Sequence, residues 1–225
     1  MARAARNYRA RRANCIWRFP VIATLALRYT VNKLKIEYIH GFASSFDTKS
    51  DKVSTLSQIG DVTGFSYDYT QTYSEIVSQL RDSIRSRKDI DVIVGTSLGG
   101  YFAAALGCIF GIPFASINPA VDPRSSLLKY CGDGTSWDGR KYNLRKEVVE
   151  TYPEFSTSGG CGVILLDLGD EVIDSLETAK LLTPFYRIVT FEGGTHRFAH
   201  MQESLQHIQH TVSIAEVVYG FGDGE

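Results

Sequence analysis

Ile90-Asp91-Val92-Ile93-Val94-Gly95-Thr96-Ser97-Leu98-Gly99-Gly100-Tyr101-Phe102-Ala103-Ala104-Ala105-Leu106 is the stretch whose reading decides the fold. Its first part is an apolar, β-branched run, the composition of a strand buried on both faces. Its last part is small, Ala-rich and a good helix former. Between them stands Gly95-Thr96-Ser97-Leu98-Gly99, a G-x-S-x-G that reads here as a nucleophile elbow, a sharp turn from strand to helix. Such a turn strains its central residue, so the positions two away must be small, as Gly95 and Gly99 are. Ser97 would project its hydroxyl at a helix N-terminus, where free N–H groups and the helix dipole favour developing negative charge. The pentapeptide also arises by chance, and a Gly-rich βα turn whose serine merely caps the helix is the competing reading. The choice rests on partners elsewhere in the chain.

Outward from this stretch, strands and helices alternate. Ile36 to Ile39 is a short strand ending at His40-Gly41-Phe42, followed by a polar loop and a helix over Val53 to Ile59. Val62 to Tyr67 reads as a second strand. Tyr69, Tyr73, Ile76, Val77, Leu80 and Ile84 recur at three- and four-residue steps, so 70–87 forms an amphipathic helix. After the elbow come strands at Ile112 to Asn118, Gly162 to Leu168 and Tyr186 to Phe191. A helix spans Ser175 to Leu182, and a last helix 201–218 carries Leu205, Ile208, Val212, Ala215 and Val218 on one face. Residues 120–158 lack a period and read as a small cap inserted into the sheet, with one or two short helices. The pattern is an α/β chain with a mostly parallel, doubly wound sheet, whose ligands bind at the carboxyl ends of the strands.

Length and composition agree. A chain of 225 residues, 44% hydrophobic and 22% charged, buries one good core. Nine of the 24 basic residues fall in 1–35, where there is no Asp or Glu. The remaining 190 residues carry 15 basic against 25 acidic groups, which excludes nucleic acid as their main partner. The Arg/Ala-rich segment 1–34 has three readings: a signal peptide without a good cleavage site, a basic arm for an acidic partner, or an upstream extension absent from the natural product. The third is preferred, with Val31 as an alternative start, so the folded domain is expected over 35–220. Cys15, Cys108, Cys131 and Cys161 form no C-x-x-C pair and sit at no zinc spacing, so neither metal nor disulfide is expected and the setting is a reducing cytoplasm. Cys108 falls on the apolar helix as a core thiol. No apolar run approaches the length of a bilayer span.

A serine nucleophile needs a base, and the base a carboxylate to orient it, in the chain order Ser, acid, His for this kind of sheet. Gly169-Asp170-Glu171-Val172 follows one predicted strand and Gly193-Gly194-Thr195-His196 the next, both at the strand edge that carries Ser97. His196 on its Gly-Gly loop is preferred over His200, with His207 and His210 on the last helix. Asp170 is preferred over Asp167, which would have to be paired or strained inside a strand, over Glu171, and over Asp174, a natural helix cap. The oxyanion hole requires two backbone N–H groups, assigned to Leu98 and Phe42. His40 reads as a loop anchor. His40, Gly41, Tyr101 and Trp137 are candidates for the substrate pocket, with Phe102 and Phe155 as further aromatics near it.

With those residues on the page, the chain resembles the α/β-hydrolase superfamily and, within it, the small YqiA-type esterases (the UPF0227 group). The matching stretches are Tyr38-Ile39-His40-Gly41-Phe42-Ala43-Ser44-Ser45, Gly95 to Tyr101, Ile117-Asn118-Pro119-Ala120-Val121, Gly169 to Val172, and Gly193-Gly194-Thr195-His196-Arg197-Phe198. The resemblance covers roughly 36–212 and implies a compact α/β-hydrolase fold. It also implies a serine esterase, extending to acyl thioesters such as acyl-CoA, with a Ser97–Asp170–His196 triad and no cofactor. Thr195 departs from the acidic residue expected before the histidine, and the N-terminal segment has no counterpart. Two other classes stay open: acyl transfer to an acceptor other than water, and a non-catalytic binding protein using 120–158 or the basic arm. Oligomeric state, acyl chain length and physiological substrate are not written in the sequence.

Overall fold

Ile93-Val94 and Ile164-Leu165-Leu166 are apolar at consecutive positions, so each strand must be covered on both faces. The computed structural model describes residues 33–87 and 89–219. The basic segment, up to residue 32, lies outside the described residues. In chain order the strands are β1 (Leu34–Ile39), β2 (Gly60–Gly64), β3 (Val92–Thr96), β4 (Phe114–Ile117), β5 (Gly132–Thr135), β6 (Lys141–Leu144), β7 (Gly162–Asp167) and β8 (Arg187–Phe191). Six of them form one sheet in the order β2-β1-β3-β4-β7-β8, with every neighbouring pair parallel. The helices are α1 (Asp51–Leu56), α2 (Tyr73–Ser86), α3 (Leu98–Phe110), α4 (Pro123–Leu128), α5 (Lys146–Val149), α6 (Ser175–Leu182) and α7 (Met201–Tyr219).

Side chains alternate along each strand and build two cores. Ile39, Ile93, Ile164 and Leu166 face Ile76 and Leu80 of α2, Phe102 and Leu106 of α3, and Leu182 of α6. Ile36, Tyr38, Val92, Val94 and Leu165 face Val53 and Leu56 of α1 and Leu205, Ile208 and Val212 of α7. The sheet is therefore doubly wound, and its carboxyl edge is where the connections must turn.

Among the element boundaries that differ from the sequence reading, two do so for clear local reasons. The helix expected from residue 70 begins at Tyr73, because Thr72 forms a capping box: its hydroxyl accepts from the Glu75 N–H while its own N–H donates to the Glu75 carboxylate. The edge strand expected over 62–67 lies instead at Gly60–Gly64, set by its register against β1 (Leu34 opposite Gly60, Tyr38 opposite Gly64). The inserted region contains the short helices α4 and α5 and also an antiparallel β5–β6 hairpin that the sequence reading did not include. Among the described residues, no helix is long and apolar enough to cross a membrane.

Candidate active site

Gly95 stands one residue before the end of β3 and Gly99 is the second residue of α3, and both are dictated by contact. A side chain at 95 would overlap the Gly99 carbonyl, and one at 99 would overlap the carbonyls of Ile39 and His40. Between them the backbone turns so tightly that Ser97 adopts φ +57° and ψ −120°. Such strain in a non-glycine residue costs on the order of 1–3 kcal/mol and is held by its surroundings. Here the Ser97 N–H donates to the Ile117 carbonyl, and the Ser97 carbonyl accepts from Tyr101 and Ala120. The hydroxyl makes no capping bond to the helix, which disposes of the capping reading. It lies 3.0 Å from Nε2 of His196 instead.

His196 sits on the connection after β8, where Gly193 and Gly194 adopt φ +69° and +76°. Its Nδ1 is 2.8 and 3.0 Å from the two carboxylate oxygens of Asp170, just past β7. The Asp170 side chain is fully buried while that of His196 is about one-fifth exposed. Asp170 is itself fixed, since Oδ1 accepts the N–H groups of Val172 and Ile173, each at 2.8 Å. A carboxylate only accepts hydrogen bonds, so Nδ1 must carry the ring proton and Nε2 is left bare towards the Ser97 hydroxyl. The structure thus brings together Ser97, His196 and Asp170 from three different strand ends.

The rival residues are engaged with other partners. Glu171 accepts the His196 backbone N–H at 3.0 Å, and that bond, first among its causes, holds its carboxyl below the usual range. Asp174 caps α6 by accepting from the Glu177 N–H. Asp167 bonds His200 rather than His196. His207 lies beside Arg187.

A cavity of about 570 Å³ opens at Ser97 and His196. Phe42 and Leu98, the two residues expected to supply oxyanion N–H groups, both line it. The aromatic wall is formed by Phe42, whose ring centroid lies 5.3 Å from those of Tyr130 and Tyr142. Trp137, in the turn between β5 and β6, stands over the mouth three-quarters exposed. Its backbone N–H donates to the Ala43 carbonyl, and the Arg197 guanidinium sits 3.8 Å above its ring. Of the four pocket candidates read from sequence, Trp137 lines this cavity and the other three do not. Tyr101 points into the core, 1% exposed, with its hydroxyl donating to the Pro153 carbonyl at 3.0 Å. Phe102 and Phe155 are core residues too. His40 is buried against Tyr67 in a stacked pair at 4.3 Å, with Nδ1 bonded to the Gly41 carbonyl at 2.8 Å, the loop anchor expected. Burial lowers its pKa to about 4. Gly41 lies behind Ser97, where an added Cβ would come 3.9 Å from the Ser97 Oγ.

Sequence reasoning missed the role of Asn118. It is fully buried with φ +41°, its Oδ1 accepts the Asp167 N–H, and its Nδ2 donates to the carbonyl of Thr195. An Asn stopping a strand before Pro119 was the available signal. Cys108, Cys131 and Cys161 are free thiols, and no cluster of His, Cys, Asp or Glu among the described residues could hold a metal ion.

Comparison with known proteins agrees with this geometry at the level of fold and family. Solved structures with the same architecture include Est1E from Butyrivibrio proteoclasticus, at a TM-score of 0.60 and 17% identity over 82% of this chain and 89% of that one. A monoacylglycerol lipase of Paleococcus ferrophilus superposes with a TM-score of 0.56 at 13% identity, covering 80% of this chain and 96% of the lipase. The fold is that of the α/β hydrolases. Among sequence relatives, a UPF0227 protein of Pasteurella multocida (strain Pm70) is 29% identical over 180 residues, 77% of this chain and 97% of the relative. The UPF0227 protein YcfP of Salmonella newport (strain SL254) is 30% identical over 183 residues, 77% of this chain and 96% of YcfP. The family model described as "Uncharacterised protein family (UPF0227)" matches residues 35–213, and the chain belongs to that family.

Proposed function

We propose that this protein is a serine esterase that hydrolyses carboxylic esters, and acyl thioesters by the same carbonyl chemistry, through an acyl-enzyme. The observation that carries the reading is the unbroken hydrogen-bonded chain from Ser97 Oγ through His196 to Asp170, at the wall of a cavity large enough for an acyl group. The fold is one that an esterase domain of Rhodothermus marinus and the Paleococcus lipase also carry.

His196 Nε2 takes the Ser97 proton as Oγ attacks the carbonyl carbon, and Asp170 stabilises the imidazolium that results. The oxyanion of the tetrahedral intermediate accepts the N–H groups of Phe42 and Leu98. Neither N–H has a hydrogen-bond partner among the described residues. Loss of one such donor costs on the order of 3 kcal/mol of transition-state stabilisation. As the intermediate collapses, the ester C–O bond breaks and His196 returns its proton to the departing alcohol. Water, deprotonated by the same base, then attacks the acyl-enzyme, and the acid and free Ser97 are released.

The test is hydrolysis of short-chain nitrophenyl esters. The Ser97→Ala variant, folded by circular dichroism, should lose about a millionfold in kcat. A folded variant that keeps most of the wild-type rate would refute the assignment.

A further inference from the structure

The two residues that competed for the acid and base roles, Asp167 and His200, form a second Asp–His pair of their own. We infer that Asp167, together with Asn118, is a positioning residue that fixes the His196 loop. The inference rests on the reading of His196 as the general base and adds to it what sets that base in place.

Asp167 ends β7 with its side chain fully buried. A buried carboxylate is strongly disfavoured unless paired and hydrogen-bonded. Here Oδ1 lies 2.7 Å from Nδ1 of His200, while Oδ2 accepts the N–H of Ala199 at 2.7 Å and of Thr195 at 3.2 Å. Thr195 and Ala199 stand on either side of His196. One oxygen therefore ties both ends of the turn that carries the base. The turn is closed by the Phe198 N–H donating to the Thr195 carbonyl, with Phe198 at φ +65°.

Asn118 holds the same turn from the next strand. Its amide donates to the Thr195 carbonyl at 3.0 Å and the His196 carbonyl at 3.4 Å, and its oxygen accepts the Asp167 N–H at 2.9 Å. Gly194 packs so closely that any Cβ there would overlap the Asp167 carboxylate. The loop has no strand partner at this point, so these two buried side chains, with Glu171 on the His196 N–H, take up the polar backbone groups around the base.

His200 does not act on the nucleophile. Its ring stacks on Phe191 at 5.0 Å and 7°, its Nδ1 is taken by Asp167, and the Ser97 hydroxyl is bonded to His196. The second pair is a clamp on the loop.

Steady-state kinetics on folded variants test this. Asp167→Ala strands the Thr195 and Ala199 N–H groups and should lower kcat by about 10- to 100-fold with KM within about twofold, the signature of a misplaced base rather than a lost binding contact. Asp167→Asn keeps an acceptor for the loop and should recover most of that loss, and Asn118→Ala should repeat the alanine phenotype. Full kcat in the folded alanine variants, or a loss confined to KM, would overturn the inference. Amide hydrogen exchange in the wild-type protein decides the matter even where a variant does not fold. Slow exchange at Thr195 and Ala199 is expected, and exchange as fast as at exposed loop amides would contradict the clamp. The controls are wild type and Ser97→Ala. A wild type without esterase activity refutes the proposed function, whereas an active wild type with fully active Asp167 variants refutes only the positioning role.

Discussion

Replacing His40 by phenylalanine should change how the stability of this protein depends on pH. His40 is 2% exposed and lies flat against Tyr67. Burial, which disfavours the charged ring, lowers its pKa to about 4 from the ordinary 6.5 of histidine. The folded protein therefore resists protonating His40, while the unfolded chain takes the proton readily. Between pH 6.5 and 4 the unfolded state binds more protons, so this group removes stability as pH falls through that window. Above pH 7 its effect vanishes. Two and a half units correspond to about 3 kcal/mol in full, of which about 2.5 kcal/mol is reached by pH 4.5. Phenylalanine keeps the stacked ring and cannot be protonated. It loses the bond to the Gly41 carbonyl, so at pH 7.5 it should be less stable by about 1 kcal/mol. Urea unfolding followed by far-UV circular dichroism at pH 7.5 and 4.5 measures both. The gap between wild type and variant should shift in the variant's favour by about 2.5 kcal/mol on going to the lower pH. A gap that does not move with pH would refute the reasoning, because it would mean that His40 titrates alike in the folded and unfolded chains.

Two further outcomes follow from the elbow. Ser97→Gly relieves a backbone that glycine adopts freely, so it should abolish hydrolysis while raising Tm by about 2–4 °C; a fall in Tm would count against strain at this residue. Gly41→Ala puts a methyl group 3.2 Å from the Thr96 carbonyl and 3.4 Å from the Ser97 Cβ. It should cut kcat about tenfold or more by displacing the loop that carries the Phe42 N–H, with little loss of stability. Unchanged kinetics would remove Phe42 from the oxyanion hole.

The sheet was legible because parallel strands buried on both faces are written as unbroken apolar runs such as Val92-Ile93-Val94 and Val163-Ile164-Leu165-Leu166. The elbow was legible because only glycine fits at 95 and 99. The hairpin was not. Gly132-Asp133-Gly134-Thr135 has no apolar residue at all, and the alternation of Lys141-Tyr142-Asn143-Leu144 runs for only four residues, too short to separate a strand from a loop. Tyr101 misled for another reason. An aromatic residue four positions after the nucleophile can face the pocket or the core, and only its bond to Pro153 across the fold shows which. The residues Ser97, Asp170 and His196 could be chosen from strand ends alone, but what holds His196 could not. Asn118 meets Asp167 49 residues away and Thr195 77 residues away, contacts that no local pattern announces.

The central claim is that Ser97 is an activated nucleophile, and covalent labelling tests it most directly. A fluorophosphonate reacts with serines whose hydroxyl is activated by a neighbouring base. The wild-type protein should give a single adduct that maps to Ser97, and the His196→Ala variant should label far more slowly. A folded wild-type protein that takes no label, or takes it at another serine, would contradict the account.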